Sequence, residues 1–146
     1  MSETTKPQAP PGTPARPVLA GVEGDEPIVV TLRSGGDVFE GEASPSQVGG
    51  GTATAAAAAT LAALAALTPS AVSFALDWVQ VGESDDEELP AVVTVLARAE
   101  VAGVTMRYAG AALSPKDVRK AAAKAVLDAM NRRLQVMGTP DTVSET

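Results

Sequence analysis

The chain has 146 residues and a formal net charge of −7, with 45% hydrophobic but only 3% aromatic residues. It contains no cysteine, which excludes disulfides and thiolate metal sites, and no histidine, which removes the commonest general base and the commonest zinc ligand. An enzyme would have to rely on carboxylates or lysine alone, so we expect a non-catalytic protein that needs no metal and no cofactor. Because no segment has the pattern of a signal peptide or a bilayer span, we expect a cytoplasmic protein without a membrane partner.

The two ends of the chain differ in composition from its middle. Residues 1–26, which include KPQAPPGTPARP, are rich in proline and poor in bulky apolar side chains, which is typical of a disordered tail. Such a tail acts either as a solvated tether or as a proline-rich docking peptide. Residues 138–146 are similarly polar. We therefore predict one α+β domain over residues 27–137.

In the first half of this domain, an alternating apolar pattern gives way to a helical one. Residues 27–32 (PIVVTL) and 38–43 (VFEGEA) predict two strands, and the glycines between them favour a tight hairpin. The alanine-rich run 52–67 predicts a helix, because alanine has the highest helix propensity. Thr68 and Pro69 are expected to end it.

The second half predicts three strands before its helix. In residues 71–81 (AVSFALDWVQV), alternate apolar positions run as far as Trp78 and then slip in phase, which indicates a bulge or a bend. The acidic segment 82–89 lacks the ligand spacing of a calcium loop and is typical of a solvated hairpin tip. Residues 91–99 and 103–112 predict a hairpin.

The segment SPKDVRKAAAKAVLDAMNRRL (114–134) predicts the final helix and holds six of the eleven basic residues. Ser114 is expected to cap it, Pro115 to occupy its first turn and Asp117 to complete a capping box. The predicted buried stripe consists of Val118, Ala122, Ala125, Val126, Ala129 and Met130. Opposite it lie Lys116, Lys120, Lys124 and Arg132, with Asp128 among them. This pattern is expected for the solvated face of a helix that packs on a sheet.

The two halves of the domain resemble each other. Residues 39–64 and 108–130 each contain an aromatic residue two positions before a glycine, then Ser-Pro, a valine and an alanine-rich helix. Gly41 corresponds to Gly110, and the glycine triplet 49–51 is an insertion in the first copy. A duplicated strand-strand-helix unit is the simplest explanation. The predicted architecture is a mostly antiparallel sheet of about five strands with two helices on one face.

This order of strands, with a glycine before each helix and LDAMNRRL at the end, resembles the regulatory, leucine-binding domain of 2-isopropylmalate synthase over about residues 28–134. In that family two strand-helix modules pair across a dimer, and the amino-acid effector binds where the loops before the helices meet. The resemblance implies a homodimer that binds a small carboxylate or a protein partner. The family's catalytic barrel has no counterpart in this sequence.

By position, the effector loops of that family fall on residues 44–52 and 113–117. Unpaired amides and the positive dipole end of a helix favour a carboxylate at such loops. The predicted ligand-binding residues are Gly49, Gly50, Gly51, Thr52, Ser114 and Asp117. The glycine triplet lacks the lysine and hydroxyl of a nucleotide-binding loop. As the alternative, both loops are simple capping turns of a scaffolding or adaptor protein.

The final helix also resembles that of a double-stranded RNA-binding domain. Those domains place basic residues at the start of the last helix, and Lys116, Arg119, Lys120 and Lys124 would form that cluster here. Asp117 interrupts the cluster, and a net charge of −7 repels phosphate. We therefore predict a dimerising regulatory or partner-binding domain, with RNA binding as the less favoured alternative.

Overall fold

The computed structural model describes residues 16–82, 88–114 and 117–138. This part of the chain is α+β, with two three-stranded antiparallel sheets ordered β1-β2-β3 and β4-β5-β6. The strands are β1 (Val18–Glu23), β2 (Ile28–Ser34), β3 (Asp37–Ala43), β4 (Val72–Gly82), β5 (Ala91–Val101) and β6 (Val104–Ser114). The helices are α1 (Pro45–Val48), α2 (Gly51–Leu67) and α3 (Val118–Gly138). Most of the predicted acidic hairpin tip and most of both predicted tails lie outside the described residues.

The α+β class is confirmed, whereas the single sheet of about five strands is wrong. The segment VLAGVE, assigned to the tail, forms β1 and pairs with β2, and its Val22 is buried. The sequence did not predict this short strand, because the composition of residues 1–26 as a whole is rich in proline and typical of disorder. The described strands form two sheets because β3 pairs only with β2 and β4 pairs only with β5, so no ladder joins the two sets of three.

The local patterns of the remaining strands and of the first long helix are confirmed. Strands β2 and β3 and helix α2 lie within two residues of their predicted bounds. The phase slip in β4 is a register shift between Leu76 and Trp78 in its pairing with β5. Because of this shift, the inner face of β4 continues at Val79, while Trp78 lies on the outer face and is exposed.

The molecule consists of two modules, each with three antiparallel strands followed by a long helix. Helix α2 packs on β2 and β3, and α3 packs on β5 and β6. The two helices pack against each other, α2 also contacts β4, and α3 also contacts β1. One hydrophobic core therefore joins both modules, and its largest fully buried apolar side chains are Ile28, Val30, Leu32, Leu64, Val93, Val95, Val126 and Met130.

The burial of the two long helices explains their sequences. Helix α2 contains no charged residue and is buried on several sides, which is the expected pattern for a helix surrounded by other elements. In α3, the predicted stripe is buried from Ala122 to Met130, and Val118 packs partly buried against the core. Lys120, Lys124 and Asp128 are exposed one helical turn apart. The predicted orientation of α3 is confirmed for these described side chains.

Each of the two long helices passes directly over a glycine of its own sheet. A Cβ atom on Gly41 would lie 2.2 Å from the carbonyl oxygen of Ala59 and 2.4 Å from the amide nitrogen of Ala63. On Gly110 it would lie 2.2 Å from the carbonyl oxygen of Ala125 and 2.6 Å from the amide nitrogen of Ala129. The predicted correspondence of the two glycines is thus matched by equivalent helix–sheet contacts. It also aligns Ala59 with Ala125 and Ala63 with Ala129.

Candidate functional site

The loop before α2 consists of the short helix α1 and the glycine triplet. Gly49, Gly50 and Gly51 have φ angles of 73°, 78° and 94°, a backbone region that residues other than glycine rarely adopt. Gly50 is the N-cap residue of α2; it supplies no side-chain cap, and the first turn has no acidic residue. Thr52 is exposed in that turn. The start of α2 therefore presents backbone amides without an internal carboxylate.

The start of α3 is built differently, and it corrects the predicted cap. Ser114 is the last residue of β6 and pairs with Ala91, so the strand ladder extends to the position where the cap was expected. The helix begins at Val118, and Asp117 caps it. The Asp117 carboxylate accepts a hydrogen bond from the Arg119 backbone amide at 3.0 Å. Pro115 and Lys116 lie outside the described residues.

Asp117 forms an ion pair as well as a cap. The Nε and Nη2 atoms of Arg119 each donate to a carboxylate oxygen of Asp117 at 3.1 Å. Chiefly because of these side-chain hydrogen bonds, the pKa of Asp117 lies below its usual value of 3.8, although partial burial acts in the opposite direction. The carboxylate position at this helix start is therefore filled by the chain itself, and Asp117 would repel a carboxylate ligand.

The segment between β1 and β2 contacts the first predicted loop and the first turn of α3, which follows the second. Arg119 donates through Nη1 to the carbonyl oxygen of Gly24, and the same atom lies 3.4 Å from Asp25 Oδ1. Ser46, in α1, donates a hydrogen bond to Glu26. Ser46 of the first loop and Arg119 of α3 thus meet the same short segment. The sequence pattern does not indicate this segment, because residues 1–26 have the composition of a disordered tail and the contacts of the segment with α3 span more than ninety positions.

In the structure, fewer residues of the basic cluster that suggested RNA binding are free to contact a ligand. The Arg119 side chain is only 24% exposed and is engaged by Asp117 and by the segment before β2. In the described part of the cluster, Lys120 and Lys124 remain exposed, with Asp128 one turn further along. The acidic neighbours on both sides weaken the positive potential that duplex RNA would require.

The outer face of the second sheet carries exposed apolar side chains, which we term the apolar face. Its members are Trp78, Val92, Leu96, Ala109, Ala111 and Leu113, of which Leu96 is half-buried and the others are exposed. Trp78 is 44% exposed and Leu113 is 61% exposed. The alternating pattern grouped Trp78 with the inner residues of β4, whereas the bulge places it outside. The slip in phase was the only signal for this position in the sequence.

An ionic cluster borders the apolar face. Asp77 accepts hydrogen bonds from Arg98 Nε at 2.6 Å and from Arg107 Nε at 2.9 Å. The bond from Arg98 is the main reason why the pKa of Asp77 lies below 3.8; partial burial opposes this shift and the bond from Arg107 reinforces it. These contacts hold both arginines against the sheet, so this end of the face carries paired charges.

The first sheet has a hollow of about 340 Å³ on its outer side, lined by Val29, Glu40, Gly41 and Glu42. A smaller one of about 40 Å³ lies on the second sheet near Arg98 and Glu100. Neither hollow is lined by the predicted ligand residues.

The described residues contain no group of three or more acidic side chains placed to hold a metal ion. Among the described helices, none has the length and apolarity needed to cross a bilayer.

A comparison with protein-family models finds none that matches the chain, and a comparison with curated proteins finds no significant match.

The capping ion pair at α3 predicts a pH-dependent contribution to stability. Asp117→Ala should lower the free energy of unfolding by about 1 kcal/mol at neutral pH, since it removes the N-cap of a long helix. A carboxyl group with a lowered pKa stabilises the fold above its unfolded pKa, near 3.8, and this contribution is lost as pH falls through the folded value. The difference between the variant and the unmodified chain should therefore shrink in acid.

Urea denaturation across a pH series measures this difference. Asp37→Ala is the matched control, because Asp37 is exposed at the hairpin turn. If Asp117→Ala were as stable as Asp37→Ala at neutral pH, the capping role would be refuted. A difference that grew in acid would refute the pKa argument.

Proposed function

We propose that the chain is a cytoplasmic, non-catalytic regulatory domain that forms a homodimer through the outer face of its second sheet. The observation that carries this proposal is the apolar face, which leaves a tryptophan and several aliphatic side chains open to solvent. The resemblance of the sequence to the regulatory domain of 2-isopropylmalate synthase supports the same role.

The pairing of strands makes the apolar face continuous. Three rows of residues lie side by side across β4, β5 and β6: Trp78–Leu96–Ala109, Gln80–Thr94–Ala111 and Gly82–Val92–Leu113. These rows contain no charged side chain. The three strands, of eleven residues each, present roughly 500 Å² in projection, and these rows cover about half of it; the whole face approaches one side of a small stable interface. A second copy would remove this apolar surface from water.

Charge supports the second sheet, and not the first, as the dimer interface. In a two-fold symmetric dimer the same surface of each copy faces its partner. The outer face of the first sheet exposes Glu23, Glu40 and Glu42 against one basic residue, Arg33, so two copies facing each other there would bring two negatively charged surfaces together. On the second sheet, Arg98 and Arg107 are paired with Asp77 within each copy. The second sheet can therefore approach its own copy with little electrostatic cost.

Replacement of the tryptophan tests the dimer. Trp78→Glu should convert a dimer at micromolar concentration into a monomer, because it replaces the largest exposed side chain of the apolar face with a charge. Val38→Glu is the matched control, since Val38 is 58% exposed on the first sheet. Sedimentation equilibrium measures the mass, and circular dichroism confirms that each variant folds. A monomeric unmodified chain, or dissociation caused equally by Val38→Glu, would contradict the proposal.

For the regulatory role, we propose that a small carboxylate, such as an amino acid, binds at the start of α2. The contrast between the two modules supports it. Asp117 supplies a carboxylate at the start of α3, whereas Gly49, Gly50, Gly51 and Thr52 leave the start of α2 without one. An external carboxylate would satisfy these amides and interact favourably with the helix dipole. Ser114 and Asp117 have no part in this narrower site.

A thermal-shift screen of amino and keto acids tests the ligand. A carboxylate at about 100 times its dissociation constant should stabilise the chain by about 2.7 kcal/mol. Thr52→Asp supplies an internal carboxylate in the first turn of α2 and should abolish the shift, whereas Thr105→Asp, on an exposed strand, should retain it. If no carboxylate shifts the melting temperature, the proposed ligand site is wrong. The loop is then a simple capping turn, as in the alternative of a scaffolding protein.

RNA binding has less support than the regulatory role. A row of basic residues at the start of α3 suggested this function, and Arg119 of that row is engaged by Asp117 and Asp25. Lys120 and Lys124 alone form a weak anchor for a duplex whose recognition depends on several phosphate contacts.

A further inference from the structure

The four edge strands of the two sheets are not equally protected. Strand β1 has a register shift between Leu19 and Gly21, and β4 has one at Trp78. Such irregularities discourage the pairing of another strand. On β6, the amide of Ala111 donates to Asp128 of α3 at 3.2 Å. Strand β3 pairs with β2 without a break. None of the features that protect the edges of β1, β4 and β6 is found on β3 in the described part of the chain.

The turn before β3 determines which of its backbone groups face outward. Gly35 and Gly36 both have positive φ, so they form a two-residue hairpin turn. The residues that flank such a turn form a hydrogen-bonded pair, and pairs then alternate along the ladder. Val38, Glu40 and Glu42 therefore occupy the non-bonded pairs, and their N–H and C=O groups point away from β2.

The second module shows the same alternation on its edge strand β6. Its β5–β6 turn consists of Ala102 and Gly103, again with positive φ at both positions. The same alternation predicts that the amide of Ala111 points outward from β6. The hydrogen bond from that amide to Asp128 agrees with this direction.

The two modules differ at the residue that protects the edge. The glycine contacts align Ala63 with Ala129, so Ala62 occupies the position equivalent to Asp128. The Ala62 methyl group cannot accept a hydrogen bond. The amide of Glu42, which corresponds to that of Ala111, thus lacks the acceptor that protects β6. Within the described residues, the edge of β3 remains available for backbone hydrogen bonds.

The side chains along this edge select what can pair with it. Glu40 and Glu42 are exposed on the outer face, and neither forms an ion pair with another described residue. The hollow of about 340 Å³ adjoins them and leaves space above Val29. Antiparallel pairing of β3 with the β3 strand of a second copy would bring the glutamates of both copies together. Like charges on facing strands are unfavourable, whereas opposite charges stabilise the pairing.

We propose that β3 binds an extended, basic segment of a partner protein by strand addition. The segment carries lysine or arginine at two alternate positions, opposite Glu40 and Glu42, and an apolar residue opposite Val38. Backbone hydrogen bonds to the outward groups of β3 supply affinity, and the two glutamates supply specificity. This interface lies on the first sheet and is independent of the proposed dimer.

A designed peptide tests this pairing directly. The probe is Thr-Lys-Thr-Lys-Thr-Val-Thr, blocked at both ends, which places its lysines opposite the glutamates in antiparallel orientation. Titration into the full isotope-labelled chain should shift the amide resonances of Val38, Glu40 and Glu42 most strongly. Glu40→Lys should weaken binding about fivefold or more. Glu100→Lys makes the same charge change on the second sheet and should leave the affinity within about twofold.

N-methylated peptides separate strand addition from simple charge attraction. The lysine amides of a paired peptide face β3, whereas those of the intervening threonines face away. Methylation of both lysine amides should abolish binding, and methylation of the two threonine amides between and after the lysines should be tolerated. Equal effects of the two modifications, equal losses in Glu40→Lys and Glu100→Lys, or resonance shifts that avoid β3 would each overturn the proposal.

Discussion

The approach of each long helix to a glycine is the constraint on which the rest of the fold depends. Gly41 and Gly110 have no side chain, so the backbones of α2 and α3 can lie directly on their sheets. At this distance only small helix residues fit against the strands, which explains the alanines at the contacts. The consequence is a core with few large side chains, in which each helix also needs the other helix and a strand of the other module.

The candidate sites lie where the two modules differ. At the start of α3, the Asp117 carboxylate of the second module caps the helix. At the start of α2, the glycine triplet of the first module supplies no side-chain cap for the backbone amides. At the sheet edge, Asp128 protects β6 and Ala62 leaves β3 open. The outer faces differ as well, since one exposes glutamates and the other exposes Trp78. We infer that the framework shared by the two modules supplies stability and that the differences between the modules account for the proposed binding surfaces.

Local periodicity predicted the elements whose burial follows their own sequence. The β2–β3 hairpin, α2, the bulge in β4 and the buried stripe of α3 are of this kind. Other features depend on distant contacts. Strand β1 is stabilised by its pairing with β2, and the position of Arg119 depends on the segment before β2. The start of α3 was missed because β6 extends its ladder through Ser114, which no local capping signal reveals.

The measurement that tests the central claim is the stability of matched glycine-to-alanine variants in urea. Gly41→Ala and Gly110→Ala should each lower the free energy of unfolding by about 3 kcal/mol, because the added methyl group meets helix backbone that cannot move aside. Gly21→Ala is the control, since a Cβ there meets no atom within 4 Å. Its stability should change by less than about 0.5 kcal/mol. If either Gly41→Ala or Gly110→Ala were as stable as Gly21→Ala, that helix would not rest on its sheet through the glycine, and the account would be wrong.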